Sequence, residues 1–316
     1  MVREFGRPPA VEDFAPPSPS GDETVVSVTA SAISRLTLGR ASGAHYSAET
    51  PLPFVAGTDG VGTTPDGRRV FFLFPRSPYG SLAELAPVRR EFTTPVPDGL
   101  VDAAAAAAAN PGMSCWVPLS RRARVPPGES VLVNGATGNA GRMAVQVAKH
   151  LGARYVIATG RDPEKLRTLA ALGADRTLTI GDAGNDYRDS VRAAVAECKV
   201  GVVLDYLWGP SARAVLLAIG GPHPPRGTDP VRFVQIGTIS APEISLAPEG
   251  LRSSGLEILG SGLGSVPPLE LVHGIGDFLA AMAKAHFRVE YELLPLSGIE
   301  STWPSDAEHR IVYAVR

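Results

Sequence analysis

With 316 residues, the chain is long enough to form two domains, each with a sizeable core. Its 44% hydrophobic and 20% charged content is that of a globular protein, and a net charge of −2 gives no electrostatic case for nucleic acid or an anionic membrane. Two well-separated cysteines, Cys115 and Cys198, show no metal-ligand spacing, no apolar run reaches transmembrane length, and the first residues lack a signal-peptide pattern, so a metal-free protein in a reducing, cytoplasmic setting is expected.

Residues 1–20 read as an extended, proline-rich arm. Thr24–Ala30 follows as a strand, and 31–50 as a loop or short helix carrying Ser34, Thr37, His45 and Tyr46. Strand-and-turn patterns recur at Pro53–Gly62, Gly67–Leu73, Tyr79–Leu85 and Glu91–Leu100. Short strands with frequent Gly and Pro turns predict a partly open barrel. Asp102 then caps an alanine run, Ala103–Ala109, which predicts a closely packed helix broken at Asn110-Pro111-Gly112.

From Glu129 onward the pattern alternates. Strands are predicted at 130–134, 155–159, 201–205, 232–237 and 256–260, and helices near 141–151, 163–172, 186–197, 210–219 and 270–285. That alternation predicts an α/β doubly wound parallel sheet. The last stretch, 290–316, returns to a β pattern and is expected to rejoin the first domain. The expected division is therefore 1–117 completed by 287–316, with 118–286 as the second domain.

The stretch Ser130–Gly141 is the most informative. An apolar run ends in Gly135, Gly138 and Gly141, and an amphipathic helix begins at once. Glycines at this spacing allow a tight turn and let a pyrophosphate approach a helix N-terminus, where unpaired N–H groups favour an anion. The next strand ends in Gly160-Arg161-Asp162, with Arg161 twenty residues past Gly141. An acid at that position would accept a ribose 2′-hydroxyl, whereas an arginine suits a 2′-phosphate, so the reading is NADP(H) rather than NAD(H). The alternative is a structural glycine turn beside a solvated arginine. Asp162 is placed to cap the helix opened by Pro163-Glu164-Lys165.

Four stretches carry a family resemblance. Leu52–Gly62 resembles an "LP…G-x-[DE]-G-x-G" strand. Val96-Pro-Asp-Gly-Leu100 with its alanine helix, Val131–Gly141 with Ala144–Lys149, and Leu294–Glu300 resemble three further signatures. Together they resemble the medium-chain dehydrogenase/reductase superfamily, in its zinc-free quinone oxidoreductase (zeta-crystallin-like) branch. The resemblance covers essentially the whole chain. It implies a GroES-like, β-rich partly open barrel beside a Rossmann domain, and NADPH-dependent reduction of quinones or α,β-unsaturated carbonyls. It also implies a homodimer formed by edge pairing of the dinucleotide sheet at Phe233–Ile236 and Leu256–Leu259. Gly57-Thr58-Asp59 stands where zinc-dependent members have Gly-His-Glu, and the four-cysteine lobe is absent. Ser34 and Thr37 stand where the branch usually carries Asn and Asp. The tyrosine that its NADPH enzymes often have after the third strand is missing from Thr177–Ile180.

Hydride transfer needs a held cofactor and donors where charge develops on a substrate oxygen. Expected cofactor contacts are Gly135, Thr137, Gly138, Asn139, Ala140, Gly141, Gly160, Arg161, Lys165, Asp205, Gly237, Thr238, Ile239, Ser261, Gly262 and Leu263. Tyr46, Ser34 and Asn110 are the candidates for chemistry. Thr37, His45, Met113 and Ser114 are the candidates for substrate contact. Each has a plainer alternative: Tyr46 walling a cavity, Ser34 and Thr37 capping a turn, the glycine-rich ends serving as ordinary turns. The partner expected is a small molecule, with neither nucleic acid nor membrane. A specialised biosynthetic reductase acting on an imine or ketone, and a non-catalytic NADPH sensor, stay open as alternatives.

Overall fold

In the computed structural model, residues 1–45, 51–220, 230–306 and 310–315 are described. The chain divides into two compact units, one of residues 1–110 with 268–316, the other of residues 111–267.

The first unit is built on β1 (Glu23–Ala32), α1 (Arg35–Ala41), β2 (Asp59–Thr63), β3 (Arg69–Leu73), β4 (Leu85–Arg89) and β5 (Thr93–Pro95). Helix α2 (Asp102–Val117) starts in this unit and runs past the division at 110. Its sheet has the order β12-β13-β1-β2-β3-β5, with β4 also on β1; β12 (Glu292–Pro295) and β13 (Ile311–Ala314) come from the far end of the chain. β13 pairs antiparallel with β1, matching Tyr313 to Ser31, so the C-terminal stretch does return to the first sheet. Val26, Val28, Val70, Phe72, Ala86 and Val88 form one buried cluster of the unit, and Ile33, Phe54, Ile299 and Tyr313 belong to a second.

Two glycines of the Leu52–Gly62 stretch have a packing reason. A Cβ on Gly62 would lie 2.2 Å from the Ser27 carbonyl oxygen of β1, and one on Gly60 would lie 3.0 Å from that of Ala30. The strand crosses β1 too closely for any side chain on that face.

The second unit contains β6 (Ser130–Asn134), α3 (Asn139–His150), β7 (Val156–Gly160), α4 (Pro163–Thr168), β8 (Arg176–Thr179) and α5 (Asn185–Cys198). It continues with β9 (Val200–Asp205), α6 (Gly209–Gly220), β10 (Val231–Gln235), α7 (Pro248–Arg252) and β11 (Leu256–Gly260). The six strands are parallel, in the order β11-β10-β9-β6-β7-β8. The central strands β6 and β9 are buried at every position, as a sheet covered by helices on both faces requires. Leu132, Ile157, Val191, Val203, Val215 and Phe233 share one core. The doubly wound α/β expectation is met. Strand β8 is an addition: only Leu178 of its four residues is buried, so no apolar run announces them.

Two differences have physical causes. Helix α8 (Pro268–Ala285) groups with the first unit rather than the second, because it packs on β5, where Gly276 lies against Thr94. A four-residue helix, α9 (Ile299–Thr302), precedes β13. Second, α2 is not broken at Asn110-Pro111 but continues to Val117. Proline has no N–H, so the Ala107 carbonyl loses its partner four residues on. Arg310 replaces it: its Nε donates to Ala107 O at 2.9 Å, and its Nη2 to Ala106 O at 3.3 Å. Arg310 is buried, and burial pushes its guanidinium down to about 10, opposed by the charge of Asp59. Asp59 is buried too, and burial raises its carboxyl against the opposing Arg310 charge and the Thr58 hydroxyl, which donates to it at 2.7 Å.

The Gly62→Ala variant is expected to lose about 1–3 kcal/mol of stability, because the intruding methyl meets backbone that cannot rotate away. A lower urea midpoint at unchanged slope would show it; an unchanged midpoint would refute the close crossing.

Candidate functional site

Because all six strands of the second unit are parallel, their C-terminal ends share one edge. The chain moves from β6 outward to β7 and β8, then returns to β9 on the other side of β6. The loops after β6 and β9 therefore diverge, and this divergence opens the crevice where doubly wound sheets bind ligands.

The glycine turn divides its labour. Gly135 has φ +89, and its N–H donates to the Thr159 hydroxyl at 3.3 Å. A Cβ on Gly141 would sit 2.3 Å from the Gly135 carbonyl oxygen, so Gly141 lets α3 start directly against the turn. It is buried, and its part is packing rather than ligand contact. Gly138 is different. It is the N-cap of α3, no side chain caps there, and no atom lies within 4 Å of where its Cβ would be. The helix N-terminus thus faces open space, with Thr137, Asn139 and Ala140 half-exposed around it. These residues fit a pyrophosphate: N–H groups, the positive end of the helix dipole and no side chain in the way.

At the end of β7, Gly160 packs against the Thr137 side chain, where a Cβ would lie 2.6 Å from its Cγ2. Asp162 caps α4, its Oδ1 accepting from Glu164 N at 2.9 Å and Lys165 N at 3.2 Å. With that carboxylate turned into the helix, Arg161 is the exposed charge at the end of β7. It is exposed and makes no ion pair among the described residues. Lys165 is exposed one turn further on. Arg142 was not singled out from the sequence. It directly follows Gly141, and its Nη1 donates to the Thr168 hydroxyl at 3.3 Å, linking α3 to α4. Its position in the first turn after the third glycine was the available signal.

Asp205 is not placed as a cofactor contact. It is fully buried, and its carboxylate accepts from Asn134 Nδ2 at 2.8 Å, Leu207 N at 3.2 Å and Trp208 N at 3.0 Å. Asn134 is the centre of this network. Its Nδ2 also donates to Ser211 Oγ at 3.2 Å, and its Oδ1 accepts from Thr159 Oγ1 at 2.8 Å and Tyr187 OH at 3.1 Å. The two side chains tie the ends of β6 and β9 together beneath the crevice. Burial raises the Asp205 carboxyl to about 6, against the hydrogen bonds from Asn134, Leu207 and Trp208.

The ends of β10 and β11 complete the edge. Gly237 approaches the Tyr206 carbonyl so closely that a Cβ would lie 2.3 Å from its oxygen. Thr238 and Ile239 are exposed beyond it. Ser261 N donates to Gln235 O at 2.8 Å, and the Gly262–Gly264 turn is held by Ser265 Oγ, which accepts from Gly262 N at 3.1 Å. Gly262 is exposed and Leu263 half-exposed.

The candidates for chemistry fare differently. Ser34 and Thr37 are buried and satisfy each other: Ser34 is the N-cap of α1, its Oγ accepting from Thr37 N at 3.1 Å, with the two hydroxyls 3.0 Å apart. Capping is thus the part the structure gives them, because a buried hydroxyl settles on the nearest partner. His45 is half-buried, its imidazole pushed down by burial and by the charge of Arg40. Tyr46 lies outside the described residues. Asn110, Met113 and Ser114 are half-buried on α2, and the Ser114 hydroxyl donates back to Pro111 O at 2.7 Å. No group of three or more His, Cys, Asp or Glu side chains placed to hold a metal occurs among the described residues. No helix among them is long and apolar enough to cross a membrane.

Comparison with known proteins gives concordant matches. The family described as zinc-binding dehydrogenase matches residues 140–272. A protein of Emericella nidulans, named as a probable NADPH-dependent quinone reductase, is 30% identical, the alignment covering 94% of this chain and 92% of its own. One subunit of the phenolphthiocerol/phthiocerol polyketide synthase of Mycobacterium tuberculosis is 29% identical over 69% of this chain, which is 10% of its own length. Among solved structures, the quinone oxidoreductase of Thermus thermophilus, determined also in complex with NADPH, superposes with a TM-score of 0.78 at 26% identity, covering 99% of this chain and 98% of its own.

The raised Asp205 carboxyl has a consequence for pH. Below its ordinary value of 3.8 the group is protonated both folded and unfolded. Between there and about 6 only the folded chain keeps the proton, so stability falls as pH rises through this window and then levels. Relative to Asp205→Asn, which does not titrate, the wild type is expected to lose on the order of 2–3 kcal/mol between pH 4 and pH 7. Urea denaturation of both proteins at the two pH values checks it, and parallel curves would refute a raised Asp205.

Proposed function

The chain belongs to the medium-chain dehydrogenase/reductase superfamily, in its quinone oxidoreductase branch, and from that premise we propose that it is an NADPH-dependent reductase delivering hydride, without zinc, to a quinone or an α,β-unsaturated carbonyl. The observation that carries the reading is the open N-terminus of α3 behind Gly138, with Arg161 at the end of the next strand. NADPH, when bound, supplies the hydride. The residues of this chain hold and orient it.

The N–H groups at Gly138, Asn139 and Ala140 would take the pyrophosphate, and Gly135 and Thr137 shape the turn beneath it. Arg161, with Lys165 four residues on in α4 and Arg142 on α3, which a hydrogen bond links to α4, would take the 2′-phosphate. Thr238, Ile239, Gly262 and Leu263 rim the same strand edge on the β10 and β11 side, where the redox end of an extended dinucleotide would lie. Asn110, Met113 and Ser114 remain the candidates for contacting substrate or nicotinamide. Tyr46 remains a candidate proton donor, although an enolate is also protonated by water. The zinc-free reading is supported by Thr58 and Asp59 in place of the His and Glu of zinc-dependent members, with Asp59 facing the Arg310 charge.

A second reading has its own observation. Matches to a tenth of a polyketide synthase favour a reductase of a biosynthetic sequence, with a narrower acceptor than simple quinones. We also propose a homodimer through β11, the edge strand of the six-stranded sheet, where Ile258 is 40% exposed.

NADPH oxidation against an ortho-quinone, an enone, an enal and an imine separates these readings, with NADH run in parallel. Turnover on quinone or enone is expected. The Arg161→Ala variant is expected to raise KM for NADPH roughly tenfold or more, the loss of one charge-assisted contact, while leaving NADH little changed. Retention of the full NADPH preference in that variant would refute the 2′-phosphate assignment. Binding without turnover on any acceptor would refute the reductase.

A further inference from the structure

Helix α2 and the π-helical turn that continues it at 118–122 carry two prolines, Pro111 and Pro118, seven residues apart. Each removes a backbone donor, so two carbonyls lose the N–H four residues on: Ala107 to Pro111 and Ser114 to Pro118. Both carbonyls are met by a buried side chain from a distant part of the chain. Arg310 Nε donates to Ala107 O at 2.9 Å, and the Tyr206 hydroxyl donates to Ser114 O at 3.1 Å. Arg310 shares a unit with Ala107, and Tyr206 shares a unit with Ser114. Neither donor has slack. Arg310 also holds the Ile33 and Ala106 carbonyls, and Tyr206 is 5% exposed, its phenol pushed well up by burial.

The segment between these two braces runs from Ala107 to Ser114 and carries Asn110 and Met113. We propose that Tyr206 and Arg310 are positioning residues, each standing in for the N–H a proline lacks, and that together they set the orientation of Asn110, Met113 and Ser114. This rests on the reductase reading for its catalytic consequence, not for its structural one. Tyr206 is also the residue after Asp205, at the C-terminal end of β9, so the phenol joins the crevice edge of the sheet to this helix. Local packing keeps the segment in order at its centre: Ser114 Oγ and Cys115 Sγ both donate to Pro111 O, at 2.7 and 3.3 Å. The braces act at its ends. A phenol that only filled space would not be directed at the one carbonyl Pro118 leaves open.

The test uses the prolines themselves. Tyr206→Phe keeps the ring and deletes the donor, while Pro118→Ala returns a backbone N–H to Ser114 O. Tyr206→Phe is expected to lower kcat roughly three- to tenfold, the worth of one hydrogen bond expressed as rate, with KM for NADPH within about twofold. Adding Pro118→Ala is expected to restore kcat to near the wild-type value. Pro118→Ala alone is expected to behave as wild type. A double variant as slow as Tyr206→Phe overturns the proposal, as does a Tyr206→Phe enzyme with unchanged kcat. The same cycle is read by thermal midpoint and by amide exchange over residues 114–122, which need no turnover. If the wild type reduces no acceptor, the reductase reading fails, while protection regained in the double variant still supports the brace and its absence overturns it. Arg310→Lys with and without Pro111→Ala gives the matching cycle at Ala107: rescue by the alanine supports the pairing, and an equal deficit in both refutes it.

Discussion

The second unit depends on one buried amide. A doubly wound sheet must part its loops where the winding reverses, and here that split falls between β6 and β9. A gap at the end of two central strands would expose backbone and admit water into the core. Asn134 closes it by using both ends of its side chain, donating to Asp205 and Ser211 and accepting from Thr159 and Tyr187. Every polar atom of the amide is satisfied, which is the condition under which a buried polar network strengthens a structure instead of weakening it. The crevice above is then a firm-floored surface, with the glycine turn on one side and the 206–209 turn on the other.

The same principle governs the first unit and the helix that leaves it. Arg310 and Asp59 are a buried pair of opposite charges, each holding down the cost of burying the other. The guanidinium is also spent on carbonyls that the backbone leaves open. Pro111 and Pro118 thus turn a local defect into a long-range tie, because a carbonyl without its helical partner is a ready acceptor for a side chain far away in sequence. The substrate-side candidates Asn110, Met113 and Ser114 sit on that tied segment, whereas Ser34 and Thr37 spend their hydroxyls on one another.

The glycine turn after β6 and the exposed arginine after β7 were legible because their determinants are local. Three glycines, the helix after them, and an arginine at the end of the next strand are within about thirty residues of each other, and turn geometry and helix N-terminal chemistry follow from neighbours in sequence. Asp162 as a cap was readable for the same reason. Which glycine does what was not: Gly141 is needed for packing and Gly138 for open space, and only the positions of Gly135 and Ala136 around them separate the two. Asn134 carried no signal of its own, since its partners lie 25 to 77 positions away, and Tyr206, which the end of the strand pointed to as a cofactor-side residue, gave no sign of a partner 92 positions away.

The amino-acid sequence by itself determined the doubly wound sheet, the β-rich first domain, the return of the last strands and the glycine turn between β6 and α3. Periodicity, glycine spacing and caps are interactions between near neighbours, so they can be read along the chain. Tertiary structure decided that Asp205 is buried as a brace, that Ser34 caps α1 with Thr37 against it, and that α2 continues through Asn110-Pro111. Each of these turns on whether a buried polar group finds a partner. A proline breaks a helix when its orphaned carbonyl faces nothing, and does not when Arg310 arrives from two hundred residues away.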